Sequence, residues 1–187
     1  MIHPTLTSEQ EAFRDTGWWD GTDYVVKGEK VFITSGMRTD YDTIAVRTGG
    51  PGAASFAQAC LEDALAWARK RKTFGGPLIG HQVIRHKRVD MQARIHSARA
   101  LLYDTAWKLS SQPREPKWIA QLAMLKNLAT DTMQFCANAA VQTLGGAGFI
   151  CGSRAGRIYR EAKVMQIGGG STEIMKDLTA RQLEWQP

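Results

Sequence analysis

Arg71, Lys72 and Thr73 form the first of three short stretches whose groups can bind an anionic ligand. A guanidinium can hold a pyrophosphate through two parallel hydrogen bonds, and a hydroxyl two residues later can add a neutral hydrogen bond. Phe74 and two glycines follow directly and interrupt any regular element. A basic, solvated helix end is the alternative interpretation. The pattern therefore predicts either a phosphate contact or an ordinary basic helix end.

The second stretch consists of Gln142, Thr143, Leu144, Gly145 and Gly146. A pair of glycines lets a ligand approach backbone amides that a Cβ atom would shield. The same pair also suits a helix that simply ends here, because glycine is the usual C-terminal cap. This stretch therefore predicts a helix end, with or without a ligand against it.

The third stretch has glycines at positions 168–170, followed by Ser171, Thr172 and Glu173. If a helix begins here, its free N–H groups and the positive end of its dipole face outward from its first turn. An anionic side chain such as Glu173 is favoured in that turn for the same reason. The stretch predicts a helix N-terminus that can bind a negatively charged group.

The hydrophobic pattern from Phe56 onward has the helical period of three to four residues. A first helix carries the apolar stripe Phe56, Cys60, Leu61, Ala64, Leu65 and Ala68. A second, long helix carries Val83, Val89, Ile95, Leu101, Leu102 and Leu109. This second helix is expected to end in the polar, proline-containing segment at residues 110–113.

A third helix is predicted from about Pro116, because proline is favoured at the first helical position. It should run to Leu144, where the glycine pair stops it. A fourth helix is expected to begin near Ser171 or Thr172. Four helices joined by short connections predict a mainly α fold, built as an antiparallel four-helix bundle.

The beginning of the chain has a different pattern. Three short runs between residues 23 and 47 are rich in β-branched and aromatic residues, which predicts strands. A cluster of glycine and proline at residues 49–52 then breaks any regular element. We therefore divide the chain into a short N-terminal β segment, residues 1–55, and a helical bundle domain, residues 56–187.

The composition favours a globular protein, since 43% of the 187 residues are hydrophobic. No apolar run reaches the roughly 20 residues of a membrane-spanning helix, and the start lacks the apolar core of a secretory signal. We expect a cytoplasmic protein without membrane contact. Cys60, Cys136 and Cys151 have neither disulfide nor metal-ligand spacing, so we expect packing residues and no metal site. The net charge of +6 suits a phosphate-rich ligand but does not require one.

In chain order, the three stretches, together with His81, Gln82 and residues 157–164, resemble the C-terminal half of the FAD-dependent acyl-CoA dehydrogenases. The resemblance implies that family's C-terminal helical domain for residues 56–187 and a partial middle β-domain for residues 1–55. It implies a flavoprotein oxidoreductase of fatty acid metabolism that dehydrogenates acyl-CoA thioesters at their α and β carbons. Electron-transfer flavoprotein would accept the electrons, and the chain would form a homodimer or homotetramer.

The resemblance also implies which residues contact FAD. In the family, the first two stretches and the His-Gln pair contact FAD held mainly by a neighbouring subunit, and the third stretch also touches FAD. The corresponding residues are Arg71, Lys72, Thr73, Phe74, His81, Gln82, Gln142, Thr143, Leu144, Gly145, Gly146, Ser171, Thr172 and Glu173. A strand of the family's β-domain places an aromatic ring against the flavin and a threonine near flavin N5, which implies Phe32 and Thr34. An ordinary half-buried strand is the alternative for these two.

Members of the family remove the substrate α-proton with a glutamate, which in many of them occupies the position of Gly169. Glycine cannot act as a base. In one branch the glutamate lies instead on the helix before the first stretch, about eight turns upstream of Phe74. That position falls near Ala45, where no acid stands. Glu62 and Asp63 lie about 25 Å farther along the helix, so the sequence predicts that the usual catalytic carboxylate is missing.

Arg88 falls where the related helix usually carries leucine. A buried and unpaired guanidinium would be destabilising by several kcal/mol. Either the side chain reaches solvent along its aliphatic stem, or this surface of the helix is not packed.

Two other classes of function remain open on the sequence. A chain without the catalytic carboxylate can serve as a non-catalytic helical module that assembles with other copies. Clusters of basic residues at 69–72 and 85–88 can bind nucleic acid, although we expect no nucleic-acid partner.

Overall fold

The computed structural model describes residues 17–19, 24–26, 52–111 and 115–185, the first two ranges as backbone only. The chain divides into two compact units, Met1–Gly52 and Ala53–Pro187. In the first unit, strand β1 (Gly17–Trp19) pairs antiparallel with strand β2 (Tyr24–Val26). Strand β2 lies in a predicted run, whereas β1 was not predicted. The remaining predicted strands lie outside the described residues.

The second unit is mostly helical, which confirms the predicted mainly α fold. Helix α1 (Gly52–Lys70) leads into a two-residue hairpin of β3 (Lys72–Thr73) and β4 (Gly76–Pro77), followed by a 3₁₀ turn (Leu78–Gly80). Then come α2 (Gln82–Ser111), α3 (Pro116–Leu144), the single-turn α4 (Gly146–Phe149), α5 (Arg154–Ile167) and α6 (Thr172–Gln182). Pro116 lies at the start of α3 and Gly145 caps its end, as predicted.

The core is formed by small and flexible side chains from α1, α2, α3 and α5. Its largest fully buried apolar members are Met91 and Ile95 of α2, Met133 of α3 and Ile158 of α5. Alanines fill the gaps between them, which lets the helices approach closely: Ala53, Ala57, Ala64, Ala129, Ala137, Ala139, Ala140, Ala155 and Ala162. Cys60, Leu61 and Ala64 of the first predicted stripe lie in this core, and so does Ile95 of the second stripe. Val83 and Val89 of the second stripe are exposed, so the packing expected for these two is wrong.

Two of the three cysteines belong to this core. Cys60 of α1 and Cys136 of α3 are fully buried, and burial raises the pKa of each thiol to about 12. They pack as small apolar residues, as predicted. Cys151 is exposed in the turn before α5, so the packing role expected for it is wrong.

Helix α5 is the longest described element that the sequence interpretation missed. Ser153 caps its first turn by accepting a hydrogen bond from the Gly156 amide at 3.0 Å. Gly156 brings α5 against α4, because a Cβ atom at this position would lie 2.5 Å from the Gly148 carbonyl oxygen. The close approach of α4 and α5 therefore depends on the absence of a side chain at Gly156.

We predict that Gly156→Ala lowers the free energy of unfolding by about 1–3 kcal/mol, because the added methyl overlaps backbone that cannot move freely. Urea unfolding followed by circular dichroism measures the change. Gly80→Ala is the matched control, since a Cβ atom at Gly80 meets nothing within 4 Å. Equal losses in the two variants would contradict the packing explanation.

Candidate functional site

The hairpin after α1 gathers three of the predicted site residues. Thr73 Oγ1 lies 2.9 Å from His81 Nε2, so these side chains share a hydrogen bond across the hairpin and the 3₁₀ turn. The ring of Phe74 meets the His81 ring edge-on, with centroids 5.9 Å apart and planes at 89°. His81 therefore contacts the last residue of β3 and the first residue of the hairpin turn.

Phe74 has an unusual backbone and an unusual environment. Its φ is 50°, in the left-handed region that bulky residues seldom occupy, and its side chain is 99% exposed. Strained residues of this kind cluster at ligand-binding and active sites, where the surrounding structure holds them. An exposed aromatic ring in a strained turn is a candidate contact for a ligand or for another chain.

The second stretch lies at the C-terminal end of α3. Gly145 has a φ of 61°, and its amide donates to the Val141 carbonyl at 2.9 Å. The predicted C-cap is therefore present. The Thr143 hydroxyl is buried and donates back to the Ala139 carbonyl at 2.7 Å.

The first and second stretches meet in one cleft, although they are far apart in sequence. The cleft has a volume of about 460 Å³. Its walls combine a guanidinium, hydroxyl groups and the glycine backbone after α3: Arg71, Thr73, Thr143, Leu144, Gly145 and Gly146, together with Trp67, Leu78 and Ala147. A guanidinium beside exposed glycine backbone suits a ligand that joins phosphate groups to an apolar ring.

Sequence reasoning missed Trp67, Leu78 and Ala147 in this cleft. Trp67 had a usable signal, because it stands four residues before Arg71 and so lies on the same side of the chain near the end of α1. Lys72, Gln82 and Gln142, which were predicted, are exposed and are not part of the cleft wall.

The third stretch lies elsewhere on the same unit. Residues 168–171, hereafter the glycine loop, connect α5 to α6, and Ser171 caps α6 by accepting from the Ile174 amide at 3.4 Å. Asn127 of α3 donates to the Thr172 carbonyl at 3.0 Å. Asn127 precedes Leu144 by about 26 Å along α3, at a rise of about 1.5 Å per residue. The glycine loop and the cleft are therefore separate sites on one helix.

The acidic residues near these sites have structural partners. Asp63 accepts from Arg154 Nη2 at 2.6 Å and Nε at 3.1 Å, which ties α1 to α5, and Glu62 lies 3.8 Å from the same guanidinium. Glu173 lies in the first turn of α6, where hydrogen bonds from its own backbone amide and from Ser171 lower the pKa of its carboxyl. A carboxylate with a lowered pKa is a weak proton acceptor at neutral pH.

Two further positions concern the predicted chemistry. Gly169 has a φ of 68°, and a Cβ atom there would meet nothing within 4 Å. Arg88 is half-buried and its Nε is buried without a hydrogen-bond partner, so its guanidinium is only partly solvated. Phe32, Thr34 and Ala45 lie outside the described residues.

Neither metal ligation nor membrane insertion has support in the described part of the chain. Residues 52–111 and 115–185 hold no group of three or more His, Cys, Asp or Glu side chains that could bind a metal ion. Over the same ranges, no helix combines the length and apolarity needed to cross a bilayer.

Comparison with known proteins identifies a family with this architecture. The acyl-CoA dehydrogenase C-terminal domain, as a family model, matches residues 48–184. A probable acyl-CoA dehydrogenase from Bacillus subtilis, YngJ, is 36% identical over 132 residues, which is 70% of this chain and 34% of that protein.

Solved structures agree with the sequence match. Butyryl-CoA dehydrogenase from Megasphaera elsdenii has a TM-score of 0.65 and 34% identity, over 71% of this chain and 34% of that one. The FAD complex of PigA has a TM-score of 0.65 and 27% identity, over 71% and 34% of the two chains. The present chain thus spans about a third of the length of the proteins it matches.

Proposed function

This chain belongs to the acyl-CoA dehydrogenase family, and we propose that it binds FAD for the α,β-dehydrogenation of acyl-CoA thioesters. The observation that carries the proposal is the cleft in which Arg71 and Thr73 meet the glycines that end α3. The solved FAD complex of a related chain adds support. The substrates in the names of relatives, such as butyryl-CoA, are stated of those relatives alone and do not fix the acyl group for this chain.

The residues of the cleft fit the phosphate-bearing part of FAD. Arg71 supplies a guanidinium that can bind pyrophosphate oxygens in pairs, and the Thr73 hydroxyl is held beside it by His81. Cβ atoms at Gly145 and Gly146 would meet nothing within 4 Å, so the backbone there is open to a ligand. In this proposal, these groups bind and orient the cofactor.

The cleft covers only one side of a ligand of this size. Arg71, Gly145, Gly146 and the ring of Phe74 are exposed. A second copy of the chain would enclose the other side, and we therefore propose a homodimer or homotetramer with FAD between chains.

Bound FAD would supply the hydride acceptor, at flavin N5, and would pass electrons on to electron-transfer flavoprotein. The glycine loop and the first turn of α6 would contact the flavin through Ser171, Thr172 and Glu173. Phe32 and Thr34 remain proposed contacts of the flavin ring. Removal of the α-proton lacks its usual base, because Gly169 has no side chain and Glu173 is a weak proton acceptor. We propose that the chain binds FAD but dehydrogenates substrates weakly.

The alternative function is a non-catalytic helical module for assembly. It is favoured by the glycine at position 169 and by the large apolar side chains that stay exposed, among them Phe149 and Ile150 beside the cleft. Both functions predict that chains associate, whereas only the first function predicts FAD binding.

We expect purified protein to retain a flavin absorption band after incubation with FAD and removal of free cofactor. Arg71→Met should weaken FAD binding about 10- to 100-fold, because a hydrogen bond to a charged group contributes about 1.5–3 kcal/mol. Arg157→Met is the matched control, since Arg157 is exposed on α5 and pairs loosely with Glu161 at 3.8 Å. A folded wild-type chain with no band at millimolar FAD would overturn the proposal and favour the assembly module.

Restoring a carboxylate tests the catalytic part of the proposal. In Gly169→Glu the Cβ atom would meet nothing within 4 Å, and the left-handed backbone costs about 1–2 kcal/mol for a residue with a side chain. We expect the FAD-loaded variant to bleach its flavin band with an acyl-CoA substrate faster than wild type under anaerobic conditions. Gly169→Gln has the same size without the charge. If the two variants bleach at equal rates across a panel of acyl-CoA esters, the missing base is not the sole defect.

We predict that the protein is a dimer or tetramer in gel filtration with light scattering. The double variant Phe149→Ser, Ile150→Ser should shift the mass toward the monomer if this exposed patch contributes to the contact. The matched control is Trp185→Ser, an exposed aromatic residue beyond the end of α6. A compact monomer for the wild-type chain would contradict the predicted association.

A further inference from the structure

Lys126 joins the middle of α3 to residues 166–170, which include the three glycines of the glycine loop. Its Nζ donates to the Gln166 carbonyl at 2.7 Å and to the Gly170 carbonyl at 2.6 Å. Both bonds are short and charge-assisted, which makes them stronger than bonds between neutral groups. One ammonium group thus holds both ends of a five-residue segment.

The two carbonyls need an external donor. Helix α5 ends at Ile167, and the last carbonyls of a helix have no partner within the helix. The Gly168 amide satisfies the Val164 carbonyl at 2.7 Å. Gly169 and Gly170 then take positive φ values of 68° and 104°, so the chain turns away from the helix axis. A cation at this helix end is also favoured by the helix dipole.

Two neighbouring residues of α3 bond to the start of this segment and to the residue that follows the glycine loop. Asn127 donates from Nδ2 to the Thr172 carbonyl at 3.0 Å. Asp131 accepts from Gln166 Nε2 at 2.9 Å. The segment is therefore bonded to α3 before the glycines, within them and after them. Lys126 is the only one of these three α3 residues that holds two carbonyls.

We infer that Lys126 is a positioning residue: it fixes the conformation of the glycine loop, and through the loop it sets how the chain holds a ligand there. The identity of that ligand as FAD rests on the proposed function, whereas the control of loop order does not. Burial is the main cause that lowers the pKa of Lys126. The ammonium group is thus partly desolvated, and its two carbonyl partners compensate for the lost water.

The test compares Lys126→Met with Lys108→Met by hydrogen–deuterium exchange of the protein without ligand. Methionine keeps most of the length and the apolar stem of lysine but donates no hydrogen bond. We expect amides of residues 166–172 to exchange at least tenfold faster in Lys126→Met. Lys108 also makes a 2.6 Å ion pair, with Asp104 of the same helix, but does not touch the loop, so Lys108→Met should leave loop exchange unchanged. Unchanged loop exchange in a folded Lys126→Met chain would overturn the inference.

Two conservative variants distinguish a local effect on the glycine loop from a general loss of stability. Lys126→Arg keeps the charge and several donors and should restore slow exchange, whereas Lys126→Gln keeps one donor amide and should give an intermediate rate. If both Lys126→Met and Lys126→Gln unfold, Lys126 serves the whole fold and the inference is wrong.

FAD titration of the same variants separates the two proposals. A looser loop together with weaker FAD binding in Lys126→Met, restored by arginine, is the expected result. A looser loop in a chain that never binds FAD would refute the proposed function and leave the positioning role intact. Weaker FAD binding with unchanged loop exchange would overturn the positioning role instead.

Discussion

The structure of the helical unit depends on the burial of α3 on several sides at once. Helices α2, α5 and α6 pack against it, and its buried residues also join α1 in the core. Helix α3 can accept neighbours on several sides because most of its buried residues are alanine or threonine, which allow close approach of helix backbones. A helix that is apolar over most of its circumference is stable only in the interior of a domain. The remaining helices are therefore arranged around this one.

Because α3 is a continuous helix, it sets the distance between the two candidate sites. Its C-terminal end supplies Thr143, Leu144 and the glycines of the cleft, and its middle supplies the residues that hold the glycine loop. The two candidate sites therefore lie far apart on one chain. This arrangement is compatible with a ligand that lies between chains, with each chain contributing different surfaces to it.

Features that depend on local chemistry could be predicted from the sequence. Pro116 at the start of α3, the glycine cap at its end and the serine cap of α6 follow from backbone conformations that few residues favour. Helix α5 was missed because its inward face uses Gly156 beside Ala155 and Ala162, which gives a weak hydrophobic signal. The loop contacts of Lys126 join residues far apart in the chain, and no spacing rule reports such a pair.

The buried thiols of Cys60 and Cys136 have a consequence for experiments on this protein. With a pKa of about 12, they carry almost no thiolate at neutral pH, and thiolate is the reactive form. Cys151 is exposed in the turn that follows α4, a few residues after the glycines of the cleft. Among the three cysteines of this sequence, Cys151 is thus the one accessible attachment point for a fluorescent or spin label, and labelling it requires no substitution.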